Sequence, residues 1–173
     1  IAPVVVDGTV EYIAGSTRDI TEQKERQQEL RRNERAMDEA PVGITLSDPS
    51  QDDNPLTYVN DRFQEMTGYD EDETIGRNCR WLQGEDTREG PVAQMREAID
   101  ANEPVTVELR NYRKDGTEFW NRVSIAPVYD DQGSVVNFVG FQQDITEQKQ
   151  MELDLRQERN LVTGIVETVP VGI

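Results

Sequence analysis

The sequence predicts an α+β domain built on one curved, five-stranded antiparallel sheet, with short helices on one face and a linker helix at each end. Three observations predict it. Short strand-like runs are closed by Asp/Gly turns. Helical stretches fall between the second and third of these runs rather than alternating with strands throughout. Segments rich in Glu, Gln and Arg, which are good helix formers, bracket the whole.

Residues 43–47 and 56–60 read as strands joined by a polar turn over 48–55. Residues 61–68 and 70–75 read as short helices, with Asp61 and Asp70 as N-caps and Gly68 as a C-terminal stop. Residues 87–102 read as a longer helix that turns Met95, Ala98 and Ile99 inward and ends at Asn102. Three strands follow over 105–113, 118–129 and 135–144. Lys114-Asp115-Gly116 and Asp130-Asp131-Gln132-Gly133 are the hairpin turns between them.

A length of 173 residues gives room for one ordinary domain plus flanking pieces. No apolar run has the length of a membrane span. The chain has neither an initiator Met nor a signal-peptide pattern, and is expected to be a piece of a longer cytoplasmic protein. Its formal net charge is −17, from 35 acidic and 18 basic residues, of which only Lys24, Lys114 and Lys149 are lysines. So acidic a chain is a poor direct binder of nucleic acid or anionic lipid. An acidic, Lys-poor composition resembles proteins of salt-loving archaea, whose self-repulsion is screened at high salt; a generic acidic bacterial protein is the alternative. One cysteine excludes an internal disulfide and a Cys-based zinc site. The absence of histidine removes His-ligated metals, His general bases and a phospho-accepting His from this segment.

A long repeat organises the chain. Asp19-Ile20-Thr21-Glu22-Gln23-Lys24 recurs 125 residues on as Asp144-Ile145-Thr146-Glu147-Gln148-Lys149. Ala2-Pro3-Val4 matches Ala126-Pro127-Val128, and Pro41-Val42-Gly43-Ile44 recurs as Pro170-Val171-Gly172-Ile173. The expected division is the end of a preceding module over 1–24, a linker helix over 25–40, a complete module over 41–146, a second linker helix over 147–169 and the start of a following module over 170–173. In the second linker, Met151, Leu155, Val162, Ile165 and Val169 follow 4-3 spacing, interrupted by Glu158. Leu30 and Met37 fall at the offsets of Leu155 and Val162 in the first. This sparse apolar seam suits a short parallel coiled coil and hence a homodimer; a solvated amphipathic linker packed on its own domain is the alternative. The second linker is four residues longer, nearly one helical turn, so the seam is kept with a stutter.

Gly76-Arg77-Asn78-Cys79-Arg80-Trp81-Leu82-Gln83-Gly84 is the stretch that carries chemistry. Physically it is a short helical or turn segment with a lone Cys, and Arg77 and Arg80 beside it are expected to lower the thiol pKa. A spare buried Cys is the bland reading. The stretch resembles the Gly-Arg-Asn-Cys-Arg-Phe-Leu-Gln motif of LOV domains, the flavin-binding members of the PAS superfamily, with Trp81 in place of the usual Phe. The resemblance extends over 41–146 through Asn111-Tyr112-Arg113-Lys114-Asp115-Gly116, Phe119-Trp120-Asn121 and Gly140-Phe141-Gln142.

The resemblance implies the PAS fold and a cofactor, FMN. It implies that Asn111 and Asn121 pair with the pyrimidine edge of the flavin, whose donors and acceptors an amide can match. Gln142 would bond the O4/N5 side, Gln83 would reach the ring, Asn78 the ribityl chain, and Ser47 would lie near the pyrimidine side. Arg80 and Arg96 would hold the terminal phosphate as planar forks. Leu56, Phe63, Leu82, Met95, Ile99, Val123, Ile125 and Phe138 are candidates for the apolar walls. Cys79 would form a reversible bond to flavin C4a after blue light, with no substrate consumed, so this segment is not expected to be an enzyme. Gln142 would turn its amide when N5 gains a proton and pass the change along the last strand into the linker helix, toward an output domain outside the segment. Thr17 stands where Gln142 would fall in the preceding module, which therefore looks like an ordinary PAS domain. A flavin redox sensor on the same fold and a ligand-free PAS dimerisation module are the rival readings.

Overall fold

The computed structural model describes the backbone over residues 2–6, 9–14 and 21–168, and the side chains over 22–160. It divides into two units, Ile1–Ala36 and Met37–Ile173. The first unit holds an antiparallel hairpin of β1 (Ala2–Val6) and β2 (Thr9–Ala14), followed by α1 (Thr21–Asp38), whose last residues belong to the second unit. Thr17 and residues 170–173, on which two of the repeat comparisons rest, lie outside the described residues.

The second unit runs β3 (Gly43–Ser47), β4 (Leu56–Val59), α2 (Asp61–Thr67), α3 (Glu71–Thr74), a 3-10 turn (Cys79–Leu82), α4 (Glu89–Ala101), β5 (Val105–Tyr112), β6 (Glu118–Tyr129), β7 (Val135–Asp144) and α5 (Thr146–Thr168). Its five strands form one antiparallel sheet in the order β4-β3-β7-β6-β5. This is the α+β architecture that the sequence predicts. The last strand is therefore the middle of the sheet, bonded to the first strand on one side and to β6 on the other. Whatever alters the inner face of β7 lies at the domain's centre, and the single residue Ile145 separates the end of that strand from the exit helix.

The repeat in the sequence is also a repeat in strand register. In the hairpin β1–β2 the pairs are Ala2↔Ala14, Pro3↔Ile13, Val4↔Tyr12 and Val5↔Val10, with a bulge between Val4 and Val5. In β6–β7 they are Ala126↔Val139, Pro127↔Phe138, Val128↔Asn137 and Tyr129↔Val135, with a bulge between Val128 and Tyr129. Equivalent positions pair in both hairpins, and the bulge falls at the same step.

Helix boundaries follow from side-chain caps. Helix α2 is capped by Asn60 rather than Asp61: the Asn60 Oδ1 accepts from Phe63 N at 3.1 Å and from Ile44 N at 2.7 Å. Asp70 does cap α3, through a capping box with Glu73. Gly68 closes α2 at φ 76, a left-handed conformation that glycine adopts without strain. Helix α4 starts at Glu89, later than expected, because the Thr87 hydroxyl is used elsewhere. It accepts from Gly84 N at 2.9 Å and donates to Arg110 O at 2.6 Å. Asn102 ends α4 in the left-handed region, as expected.

The main core packs Leu56, Val59, Phe63, Met66, Leu82 and Phe119 between α2, the 3-10 turn and the sheet. A second cluster of Val107, Leu109 and Val123 lies under α4, with Val92 and Met95 against it. No residue of α4 is fully buried. The helix stands off the sheet, and the space between them is the cavity described next.

Candidate functional site

A cavity of about 560 Å³ is enclosed by the inner face of the sheet, the 3-10 turn and α4. That volume is within the range of sites for drug-sized ligands and cofactors. Strand alternation aims its walls: on β7 the inward residues Phe138, Gly140 and Gln142 line it, while Phe141 faces out and is 42% exposed. Gly140 is needed there, because a Cβ would come within 2.6 Å of Thr45 Oγ1. Of the candidate apolar walls, Leu56, Leu82, Met95, Ile99, Val123, Ile125 and Phe138 do line the cavity. Phe63 does not; it is 0% exposed and packs in the core behind Leu82.

The polar candidates converge on the same space. Ser47, Asn78, Cys79, Arg80, Gln83, Arg96, Asn111 and Gln142 all line it. Asn121 is the exception: it is 0% exposed and sits behind the lining rather than on it. Its Nδ2 donates to Asn111 Oδ1 at 2.9 Å and to Gln142 Oε1 at 3.0 Å. Asn121 thus locks the orientation of the two amides that line the cavity. Its own Oδ1 is buried without a hydrogen-bond partner among the described residues. An unpaired buried acceptor costs roughly 1–3 kcal/mol. The two amides that Asn121 orients, Asn111 and Gln142, do line the cavity, and a flavin's pyrimidine edge, with a donor beside acceptors, fits them.

Cys79 opens the 3-10 turn, held there by Asn78, whose Oδ1 accepts from Arg80 N at 3.1 Å. The thiol lines the cavity, and Gln142 Nε2 points at Sγ from 3.8 Å. Burial pushes the thiol up to about 12, and the Gln142 contact opposes this only in part. The two arginines do not lower it, contrary to the expectation from sequence. Arg77 stacks over the Trp81 ring at 4.7 Å and donates to Glu73 O at 3.0 Å. Arg80 forms a two-pronged pair with Asp53, at 2.5 and 2.9 Å. Each cation has its own partner away from the sulfur. Trp81 packs edge-on against Tyr69 with ring centroids 6.0 Å apart, and its buried Nε1 has no partner among the described residues. That is the cost of an indole where a phenyl ring has no donor to satisfy.

Two groups were not picked out from the sequence. Asn60, wholly buried, ties the end of α1 to the domain: its Nδ2 donates to Met37 O at 2.7 Å and to Val42 O at 3.1 Å. A polar residue just before a helical run was the available signal. The second group is the exit. Asp144 accepts from Thr146 N at 2.9 Å and pairs with Arg113 at 2.5 Å. Ile145 is 2% exposed, and Thr146 Oγ1 accepts from Trp120 N at 2.9 Å. Lys149 then pairs with Glu108 at 2.6 Å, and Arg122 bonds the same carboxylate at 2.8 Å. The repeated Asp-Ile-Thr is thus a cap, a buried anchor and a tie to the β6 backbone, which together seat α5 on β6.

A central antiparallel sheet whose last strand lies in the middle, with a cofactor-sized cavity under short helices, defines the class. The PAS domain family matches residues 41–147, and the chain belongs to it. Within that class it is a LOV domain. The solved LOV domain of the blue-light activated histidine kinase of Erythrobacter litoralis is 45% identical; the match covers 62% of this chain and 98% of that one, at a TM-score of 0.60. The bacterioopsin transcriptional activator of Halobacterium salinarum is 44% identical over 87% of this chain. The blue-light photoreceptor of Listeria monocytogenes is 43% identical over 71% of it. The chain spans 22% and 48% of the lengths of these two relatives.

Proposed function

We propose that this chain is a blue-light sensing module that holds FMN in the cavity, with Cys79 as the residue that bonds to the flavin ring after illumination. One observation carries the reading: a half-buried thiol on the 3-10 turn stands 3.8 Å from the amide of Gln142, which lies on the strand that leads to α5, and both line the cavity. When bound, the flavin supplies the absorption of blue light and a ring carbon that becomes open to sulfur in the excited state.

The protein's own groups do the rest. Asn111 and Gln142, oriented by Asn121, present amides to the ring's polar edge. Leu82, Ile125 and Phe138 exclude water from its apolar side. Gln83, Asn78 and Ser47 are assigned to the ring and ribityl chain, and Arg80 and Arg96, both exposed at the rim, to the phosphate. Gln142 stands two residues before Asp144, whose carboxylate caps the exit. A turn of the Gln142 amide therefore acts on the hydrogen bonds that seat α5.

The domain division belongs to the same reading. The repeated hairpin register supports a preceding PAS module ending near residue 24. Met151 and Leu155, 56% and 65% exposed on α5, support a homodimer through the linker helices. Output through a domain beyond the segment, a cytoplasmic location and a high-salt habitat are proposed on the relatives and the acidic composition. The test is to purify the chain, release its ligand by denaturation and illuminate the intact protein. FMN in the released fraction, with bleaching of the blue absorption, is the expected result. A yellow protein that does not bleach would favour the redox sensor, and a colourless one the ligand-free module.

A further inference from the structure

The rim of the cavity carries two cations, Arg80 and Arg96, and two carboxylates, Asp53 and Asp100. These four are not equivalent. Arg96 has no ion-pair partner among the described residues, whereas Arg80 is gripped by Asp53 through both guanidinium nitrogens, at 2.5 and 2.9 Å. Such fork-to-fork contact is how an arginine takes a phosphate. Asp53 is also fixed from the other side, since Asn78 Nδ2 donates to its carbonyl at 2.6 Å. One loop residue thus holds both the side chain assigned to the ribityl chain and one of the two assigned to the phosphate. Asp53 and Asn54 adopt φ of 70 and 46, the left-handed region that Asp and Asn tolerate better than other non-glycine residues. The loop is built to put that carboxylate there.

We propose that Asp53 sets the module's preference between phosphorylated and unphosphorylated flavin, as an internal carboxylate that occupies Arg80 and must be released before a terminal phosphate can use it. The inference rests on the flavin reading of the cavity. With Asp53 in place, the four rim charges sum to zero and only Arg96 offers an unpaired cation. Riboflavin, which lacks the phosphate, is indifferent to this competition. FMN has to displace a like-charged group. The Asp53–Arg80 pair is more than half exposed, at 54% and 61%, so its displacement is possible at modest cost.

The test uses the whole chain equilibrated with an equimolar excess of FMN and riboflavin. The bound flavins are separated by chromatography after denaturation, and their ratio is the readout. Asp53→Asn keeps the left-handed conformation and the backbone carbonyl that Asn78 holds, so the loop stays as it is. The expected result is a bound FMN-to-riboflavin ratio about two- to fivefold higher than wild type. Arg80→Gln is expected to change the ratio less than about twofold in wild type, yet to cancel the gain in the Asp53→Asn background. An unchanged or lower ratio in Asp53→Asn would overturn the proposal, as would an equal effect of Arg80→Gln in both backgrounds. A wild-type chain that takes up neither flavin overturns the flavin reading along with it, and is distinguished by the absence of bound ligand.

Discussion

Replacing Gln142 with Leu separates photochemistry from signal. Gln142 is 4% exposed, and Leu is near enough in size to fill its place. What is lost is polar. Asn121 Nδ2 now gives to two acceptors, Asn111 at 2.9 Å and Gln142 at 3.0 Å. Without Gln142 one of its two N–H groups is buried unpaired, a cost of about 1–2 kcal/mol, which should appear as a lower denaturation midpoint in darkness. The Cys79 thiol keeps its place in the cavity, so the flavin still bleaches. The same 1–2 kcal/mol bounds what this amide can transmit, since an amide that no longer turns cannot bias the seat of α5. A bias of that size corresponds to roughly five- to thirtyfold in an equilibrium. The assay is amide hydrogen exchange of α5 (Thr146–Thr168) in the light and in the dark. The light-to-dark ratio should fall by about that factor in Gln142→Leu. A variant that bleaches and keeps the wild-type ratio would refute the role given to this residue.

Three further outcomes are expected. Lys149→Gln leaves Glu108 with Arg122 alone, and the first turn of α5 should exchange about two- to fivefold faster while the core strands are unchanged; equal exchange would show that the Lys149–Glu108 pair does not seat the helix. With a net charge of −17, the melting temperature should rise by at least about 4 °C between about 0.1 and about 1 M salt, and a flat or falling curve would count against the high-salt reading. Burial raises the Cys79 thiol from its ordinary 9.0 to about 12, so only the unfolded chain ionises between those values. Stability is therefore full below about pH 9 and declines toward pH 12, and at pH 10 Cys79→Ser should be spared about 1 kcal/mol of the loss wild type suffers relative to pH 8; parallel losses in urea melts would contradict the burial.

Much of the fold is legible because turns and strand alternation are local. Asp130 and Gly133 fix the β6–β7 turn, and both strands end where the sequence places them, at Tyr129 and Asp144. The cap on α2 was misread by one residue because Asn60 and Asp61 are both capping types. Only the tertiary contacts with Ile44 and Met37 decide between them. Thr87 illustrates the same limit, since its helix-starting hydroxyl is taken by Arg110, a partner distant in sequence.

The site was legible through its motif and less so through its electrostatics. The amides on β5 and β7 are joined through Asn121 on β6 between them, and alternation predicts their common face. That Asn121 stands behind the other two follows from packing rather than pattern. The neighbours of Cys79 in sequence are cations, yet their partners, Asp53 and the Trp81 ring, turn both away from the sulfur. Asp53 itself lies in a loop whose left-handed residues give no sequence signal beyond being Asp and Asn.

The central claim is that Cys79 is the group that meets the excited flavin. The most direct measurement is the blue-light difference spectrum of wild type beside Cys79→Ala, each loaded with flavin, followed through dark recovery. Wild type should lose its blue absorption band on illumination and regain it in darkness, while Cys79→Ala binds flavin and shows no such reversible loss. The same reversible bleaching in Cys79→Ala would contradict the account.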